Sequence, residues 1–393
     1  MPVRSTKSLI RAATAFAGVS FAITLLTSLN PASAAILTVG SNQTYKTIQA
    51  AVNAAHNGDT INIQSGTYGC ASITKSGLTL QGVGSTMPVI AGNVCGSKGL
   101  FVISGTNTTV SNLLFQNAKD GDGNGAGIRM QGTNLTVRNS KFSNNQDGIL
   151  SDYNVHSTVT VNNSIFDHNG TCVGSGGCAH AIYAGHVGTL DVENSTFTNT
   201  QAGHSIKSRA NNTIVVGNHI ADGTTGTSSY AIDVPNGGAV TITGNTIEKG
   251  PKSSNNTAAI AMGEEGATNP AGAMLIANNS FQNDDAKTQE FIWNKTGNSN
   301  LTVSGNVISG YATKTLAGPG TVQAAPPSLR TLALANTLLV PSASAAAANF
   351  AATASQFAGG RPAAVPEPGT LALFGAGVIG FALMLGKKKG KSA

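Results

Sequence analysis

Short runs of alternating apolar and polar residues recur along the chain. Leu135-Thr-Val-Arg-Asn-Ser-Lys-Phe142, Val159-Thr-Val-Asn-Asn-Ser-Ile-Phe166 and Leu190-Asp-Val-Glu-Asn-Ser-Thr-Phe197 share one form. Val240 to Ile247, Met274 to Phe281 and Leu301 to Ile308 vary it, and Thr108 to Phe115 and Thr213 to Ile220 fit with small departures. The third position of the run falls at Val110, Val137, Val161, Val192, Val215, Ile242, Ile276 and Val303, at intervals of 23 to 34 residues. Ile63 and Leu80 extend the series toward the N-terminus. Alternation over a few residues is the strand period. A second short strand precedes each run, marked by Ile128, Ile149, Ile182, Ile206, Ile232 and Ile260. Strands this short, separated by Gly and Asn, cannot close a core one at a time, whereas stacking them as about ten coils of a parallel β-helix does. The fold class is therefore all-β, one β-helix. The Phe or Ile ending each run becomes an internal stack. Asn112, Asn139, Asn163, Asn194 and Asn278 become a ladder at the turn, with Gly-Asn in the other coils, because Asn suits tight turns. Ile48, Val52 and Ala55 stand at helical spacing in Tyr45 to Ala55, which predicts an N-terminal capping helix over an otherwise open sheet end.

Composition agrees with this picture. Only 10% of residues are charged and 5% aromatic, while Gly reaches 48 of 393, which excludes a charge-rich helical bundle or coiled coil. The net charge of +6 misleads, because Arg4, Lys7, Arg11, Lys387, Lys388, Lys389 and Lys391 sit at the two ends. The body between them carries 16 bases against 17 acids, so nothing in the charge points to nucleic acid.

The two ends read as addresses. Residues 1–34 have a basic start, an apolar stretch and the small-residue site Ala32-Ser33-Ala34, the pattern of a signal peptide for signal peptidase. Export places the body in an oxidising compartment, where the four Cys pair. Cys172 with Cys178 staples one loop and leaves Cys70 with Cys95, although four Cys allow three connectivities. Residues 35–320 are the β-helix, and 321–364 form an Ala/Ser/Pro-rich linker. Residues 365–393 hold Pro366-Glu367-Pro368, an apolar stretch from Thr370 to Gly386 and a lysine tail. Seventeen residues at ~1.5 Å each span ~25 Å, the short limit for an inner-membrane helix. This order closely resembles the PEP-CTERM sorting signal of Gram-negative bacteria. The resemblance implies an exosortase partner and delivery to the cell envelope or an extracellular matrix, with membrane anchoring before C-terminal processing.

The start of the body, with its helix, Gly58-Asp-Thr-Ile61 and Gly66-Thr-Tyr68, resembles right-handed parallel β-helix proteins of the pectate-lyase-like superfamily. That resemblance covers roughly residues 36–310 and implies the fold, since such proteins include lyases, hydrolases, esterases, epimerases and non-catalytic members.

Candidate chemistry gathers between residues 180 and 266. Aligned on the inward Ile, the next residue points outward and is Tyr183, Lys207 and Asp233 in successive coils. Two residues before the Ile stand His180, His204 and Tyr230, and Arg209 lies two beyond Lys207. Neighbouring coils set these groups ~5 Å apart on one surface. His180, Tyr183, His204, Lys207, Arg209 and Asp233 are the candidate catalytic set, and His186, Tyr230, Asn236, Glu264 and Glu265 the candidate substrate-binding set. Insertions bearing Cys172–Cys178 and residues 263–272 are expected to wall a groove suited to a linear extracellular polysaccharide.

These coils resemble a subgroup of secreted β-helix proteins with His-x-x-Tyr, Gly-His-x-x-Lys-Ser-Arg-Ala and Ser-Tyr-x-x-Asp-x-Pro-Asn-Gly-Gly. Lys207-Ser208 before a Gly-Asn strand also resembles alginate- and chondroitin-type lyases, whose next coil carries Arg-His where this chain has Asp233-Val234-Pro235. A lyase needs a cation on a uronate carboxylate, a base and an acid. Lys207 and Arg209 fit the first, with Asp233 keeping Lys207 charged. Tyr183, His180 or His204 fit the proton transfers. A glycosidase would pair Asp233 with Glu264 or Glu265. A non-catalytic polysaccharide-binding or structural matrix protein is the other class. No cofactor or metal is expected. Asp120, Asp122 and Asn124 match the start of a calcium loop, but Gln131 stands where a bidentate Glu is needed, so a Gly-rich turn is favoured over Ca²⁺.

Overall fold

The computed structural model describes residues 34–173, 177–255, 257–287, 290–312 and 314–323. The predicted signal peptide up to residue 33, most of the predicted linker and the whole sorting segment lie outside the described residues. Among the described residues no helix is long and apolar enough to cross a membrane.

The chain winds as a parallel β-helix. Among the described residues three parallel sheets of 12, 10 and 10 strands run its length, and each coil gives one strand to each sheet. Each recurring run is bent at the expected Asn or Gly-Asn turn into two strands. Thr133–Arg138 joins one sheet and Lys141–Ser143 another, with Asn139 between them at φ 50°. A left-handed residue cannot continue a strand, so the corner is set there. Asn112, Asn163, Asn194 and Asn278 hold the same corner in other coils at φ 49° to 56°, and Gly217, Gly244 and Gly305 hold it at 63° to 67°. These are the residues that tolerate this conformation with least strain.

The expected inner stack is present. Phe115 pairs Phe142, Phe142 pairs Phe166, and Phe166 pairs Phe197, followed by Ile220, Ile247, Phe281 and Ile308 in register. The second series is also in register, Ile128 to Ile149, Ile182, Ile206, Ile232 and Ile260. The expected grouping of Gly-Asn with the Asn corner is corrected in one respect. The Asn of Gly-Asn belongs one residue further on, to a buried ladder shared with Ser. Ser140 N–H donates to Ser164 Oγ, Ser164 N–H to Ser195 Oγ, Ser195 N–H to Asn218 Oδ1, and Asn218 N–H to Asn245 Oδ1. Each side chain satisfies a backbone donor that the corner leaves unpaired.

The N-terminal helix Ile48–Ala54 starts at Thr47, whose Oγ1 accepts from Ala50 N–H at 3.1 Å. It packs against Ala71–Ile73 and also meets Ile36–Val39 and Thr60–Gln64. Gln49 Oε1 accepts from Ser72 N–H at 2.7 Å and its Nε2 donates to Ser72 O at 3.3 Å, on the end strand Ala71–Ile73. The 12-stranded sheet begins instead with Ile36–Val39, ahead of the helix. At the other end the winding passes the expected boundary, because Thr321–Gln323 pairs with Leu301–Ser304. Cys70–Cys95 and Cys172–Cys178 are both disulfides.

Candidate functional site

Strand pairing places the outward row as the alternation predicted. Tyr183 is opposite Lys207, and Lys207 is opposite Asp233. Inward Ile182, Ile206 and Ile232 lock the register, since a one-residue slip would turn the charged groups into the apolar core and the Ile out of it.

The column two residues earlier is a hydrogen-bonded ladder. Asp147 Oδ1 accepts from His180 N–H at 2.8 Å, His180 Nδ1 from His204 N–H at 2.8 Å, and His204 Nδ1 from Tyr230 N–H at 3.0 Å. The rings stack, His180 on His204 at 4.7 Å and His204 on Tyr230 at 5.3 Å. An accepting Nδ1 leaves the proton of a neutral imidazole on Nε2. Burial, then Lys207, hold His204 down at about 3, and burial holds His180 well below its ordinary value. Both rings are therefore neutral Nε2–H donors with Nδ1 bound to backbone. Of the proton transfers expected of them, acceptance has no free nitrogen, while each ring keeps an Nε2–H to donate. Asp147 heads this column, and burial pushes its carboxyl up to about 7.

Asp233 is the central group. It is 1% exposed, and Oδ2 stands 3.2 Å from His204 Nε2 and 3.4 Å from Lys207 Nζ. Neither oxygen accepts a well-aligned hydrogen bond from the protein. Burial and the facing Glu264 carboxyl raise its pKa well above the ordinary carboxylate value, against the opposing pull of the Lys207 charge. Lys207 Nζ donates to Glu265 Oε1 at 2.7 Å, and Arg209 donates to Glu265 Oε2. Burial works against the Lys207 charge, but Asp233 and Glu265 outweigh it and its pKa is raised. Tyr183 is raised by burial, with Arg209 5.4 Å and Lys207 5.8 Å from its ring centroid.

A cleft of about 360 Å³ opens beside this row, lined by Tyr153, His186, Arg209, Asn236, Glu265 and Thr268. The insertion at residues 263–272 supplies one wall, as expected. Tyr153 forms the other and was not anticipated; it is 71% exposed and packs edge-on to His186 at 4.8 Å. His186 Nε2 is 2.9 Å from Asn211 Oδ1, and Asn236 Nδ2 donates to Gly266 O at 3.4 Å. Among the described residues, none of the disulfide loop lines this cleft. Its Val173 lies against Gly123 and lines a separate cavity of about 420 Å³. That cavity and one of about 460 Å³ along the Asn corner have no carboxylate in their linings. Trp293, also unanticipated, continues the outward row beyond Asp233 and Ala261.

The Asp120–Asn124 turn is held by its own bonds. Gly123 N–H donates to Asp120 O at 3.2 Å, and Asn124 N–H to Asp122 Oδ1 at 2.9 Å. Gln146 Oε1 accepts from Asp120 N–H and Gly125 N–H across the turn. Among the described residues no group of three or more His, Cys, Asp or Glu stands close enough to hold a metal ion.

Residues 364–388 match the PEP-CTERM protein-sorting motif. The match includes Pro366, Glu367 and Pro368, marks an exported protein sorted at its C-terminus and implies an exosortase-type processing partner. No curated protein matched the chain. Among solved structures, an alginate lyase from a Paenibacillus species is similar at 15% identity, covering 73% of this chain and 99% of that one with TM-score 0.45. Pectin methylesterase PemA from Erwinia chrysanthemi is similar at 14% identity, covering 74% and 92% with TM-score 0.38. The pectin methylesterase of Aspergillus niger is similar at 15%, covering 75% and 87% with TM-score 0.35. These likenesses carry no argument about the chemistry of this chain.

Proposed function

We propose that the chain is an exported enzyme acting on an acidic extracellular polysaccharide, with the Tyr183–Lys207–Asp233 row as its working face and β-elimination as its reaction. The observation that carries this reading is the buried Asp233 carboxyl, facing Glu264 and Lys207 with neither oxygen in a well-aligned hydrogen bond. Such a group is costly to keep unless it works on something. Lys207 and Arg209 orient a uronate carboxylate and stabilise the charge that spreads onto it. Asp233, when ionised a stronger base than a free carboxylate, takes the proton next to that carboxylate. Tyr183, kept protonated by burial, gives a proton to the departing glycosidic oxygen. One C–H and one C–O bond break and one C=C bond forms, giving an unsaturated sugar and a new reducing end. The chain works in the envelope or matrix of a Gram-negative cell after signal peptidase removes residues 1–34, and its apolar C-terminal segment holds it at the inner membrane until an exosortase acts.

A second reading is a non-catalytic polysaccharide binder. It is favoured by the His ladder, whose Nδ1 atoms are bound to backbone. One experiment separates the two. The purified chain, disulfides intact, is offered acidic and neutral polysaccharides while ultraviolet absorbance and reducing ends are followed together. Both signals should rise on a uronate polymer and fall about 100-fold or more in Lys207→Ala. Reducing ends without absorbance would replace elimination with hydrolysis by the carboxyl pair. Binding without either signal would leave recognition alone.

A further inference from the structure

The Lys207–Arg209 pair already holds a carboxylate, and that carboxylate belongs to the protein. Lys207 Nζ is 2.7 Å from Glu265 Oε1, and Arg209 donates to Oε2. The cations come from the regular winding, while Glu265 comes from the insertion between Ala258–Met262 and Met274–Ala277. The backbone of that insertion is fixed. Gly263 N–H donates to Val234 O, Glu265 N–H to Pro235 O, and buried Asn269 Nδ2 to Ala210 O at 2.7 Å and Gly237 O at 3.0 Å. The carboxylate is the free end: the Glu265 side chain is 38% exposed, against 10% for Lys207. It lies at the wall of the cleft that continues to Tyr153 and His186.

We propose that Glu265 is an internal competitor. It occupies the carboxylate receptor formed by Lys207 and Arg209, and a uronate carboxylate entering the cleft displaces it by side-chain rotation alone. This rests on the reading that the site takes an acidic polymer. The consequence is selectivity. A small free carboxylate must compete with a tethered one present at high effective concentration. A polymer adds contacts along the cleft, at Tyr153 and His186, and outcompetes it. The site then ignores soluble small acids and answers to the chain-like ligand.

The test uses the full chain and glucuronate as probe, with glucose and sodium chloride as controls at constant ionic strength. In Glu265→Ala, glucuronate should raise the melting temperature saturably, glucose should not, and adding Arg209→Gln should abolish the response. The wild type should show no response over the same range. Glu265→Gln, which keeps the volume and removes the charge, should bind uronate oligomers about tenfold more tightly than wild type. An unresponsive Glu265→Ala, an equal response in wild type, or weaker oligomer binding by Glu265→Gln would overturn the inference. The two proposals fail separately. A responsive Glu265→Ala in a chain that cleaves no polymer removes the elimination reading and keeps the competitor. A wild type that cleaves polymer while Glu265→Ala stays unresponsive does the reverse.

Discussion

Phe166→Ala should lower stability by about 3–5 kcal/mol, the range for emptying a large aromatic site in a packed core. The ring is fully buried, with centroids 4.7 Å from Phe142 and 4.7 Å from Phe197 and interplanar angles of 5° and 6°. Removing it opens a void and breaks two ring contacts, each worth about 0.5–1.5 kcal/mol beyond burial. The void cannot close easily. The neighbouring coils are held at strand spacing by their ladders, and Gly148 already lets the Phe166 ring pack against the backbone. Because each coil contacts only its neighbours, the loss falls on one junction of a quasi-one-dimensional stack. The control is Ile165→Ala on the same strand, where the side chain points outward at 45% exposure and the change should stay within about 0.5 kcal/mol. Urea unfolding of wild type and both variants, disulfides intact, measures the difference. Equal losses in the two variants would mean that the stack is not what holds the coils together.

The same alternation that makes Phe166 inward made the working row readable in the sequence. Counting one residue past each inward Ile gives Tyr183, Lys207 and Asp233, and strand pairing puts them side by side. The same alternation holds beyond these three coils. Two residues before Ile149 stands Asp147, the head of the His ladder, and one past Ile292 stands Trp293. What alternation could not reveal is where an insertion folds back. Glu265 meets Lys207 across 58 residues and Arg209 across 56, with no periodicity linking them. Nor could it show that each His would give Nδ1 to the next coil's amide. That depends on the ring lying along the winding axis rather than pointing into solvent. The Nδ1 atoms of His180 and His204 are therefore engaged with backbone, which the positions of the two residues in the sequence did not reveal.

The pH dependence of stability should carry the imprint of that ladder. His180 and His204 have depressed folded pKa values, so their contribution is whole above the ordinary histidine value of 6.5 and is lost as pH falls, toward about 3 for His204. Asp147 and Asp233 have raised values, so their contribution is whole below the ordinary carboxylate value of 3.8 and is lost as pH rises, toward about 7 for Asp147. From about pH 4 to 6.5 the unfolded chain binds an extra proton at each His and one fewer at each Asp, so the slopes oppose and stability is nearly flat. Below about pH 4 the opposition of the aspartates fades as they protonate in the unfolded chain too, and stability falls with the histidines, less steeply as His204 itself protonates near about 3. Glu265 and Asp167, both held below the ordinary carboxylate range, add to the same fall. Urea midpoints measured from about pH 3 to 8 give the profile. His204→Asn keeps an acceptor for Tyr230 N–H and removes one titration, so the acid slope should drop by about half. Asp147→Asn removes one opposing group and should tilt the flat region, stability then falling from about pH 6.5 toward 4. Simple loss of packing lowers every midpoint alike and leaves these slopes unchanged. An unaltered acid slope in His204→Asn would mean that the ring is charged or exposed in the folded chain, and the ladder as described would be wrong.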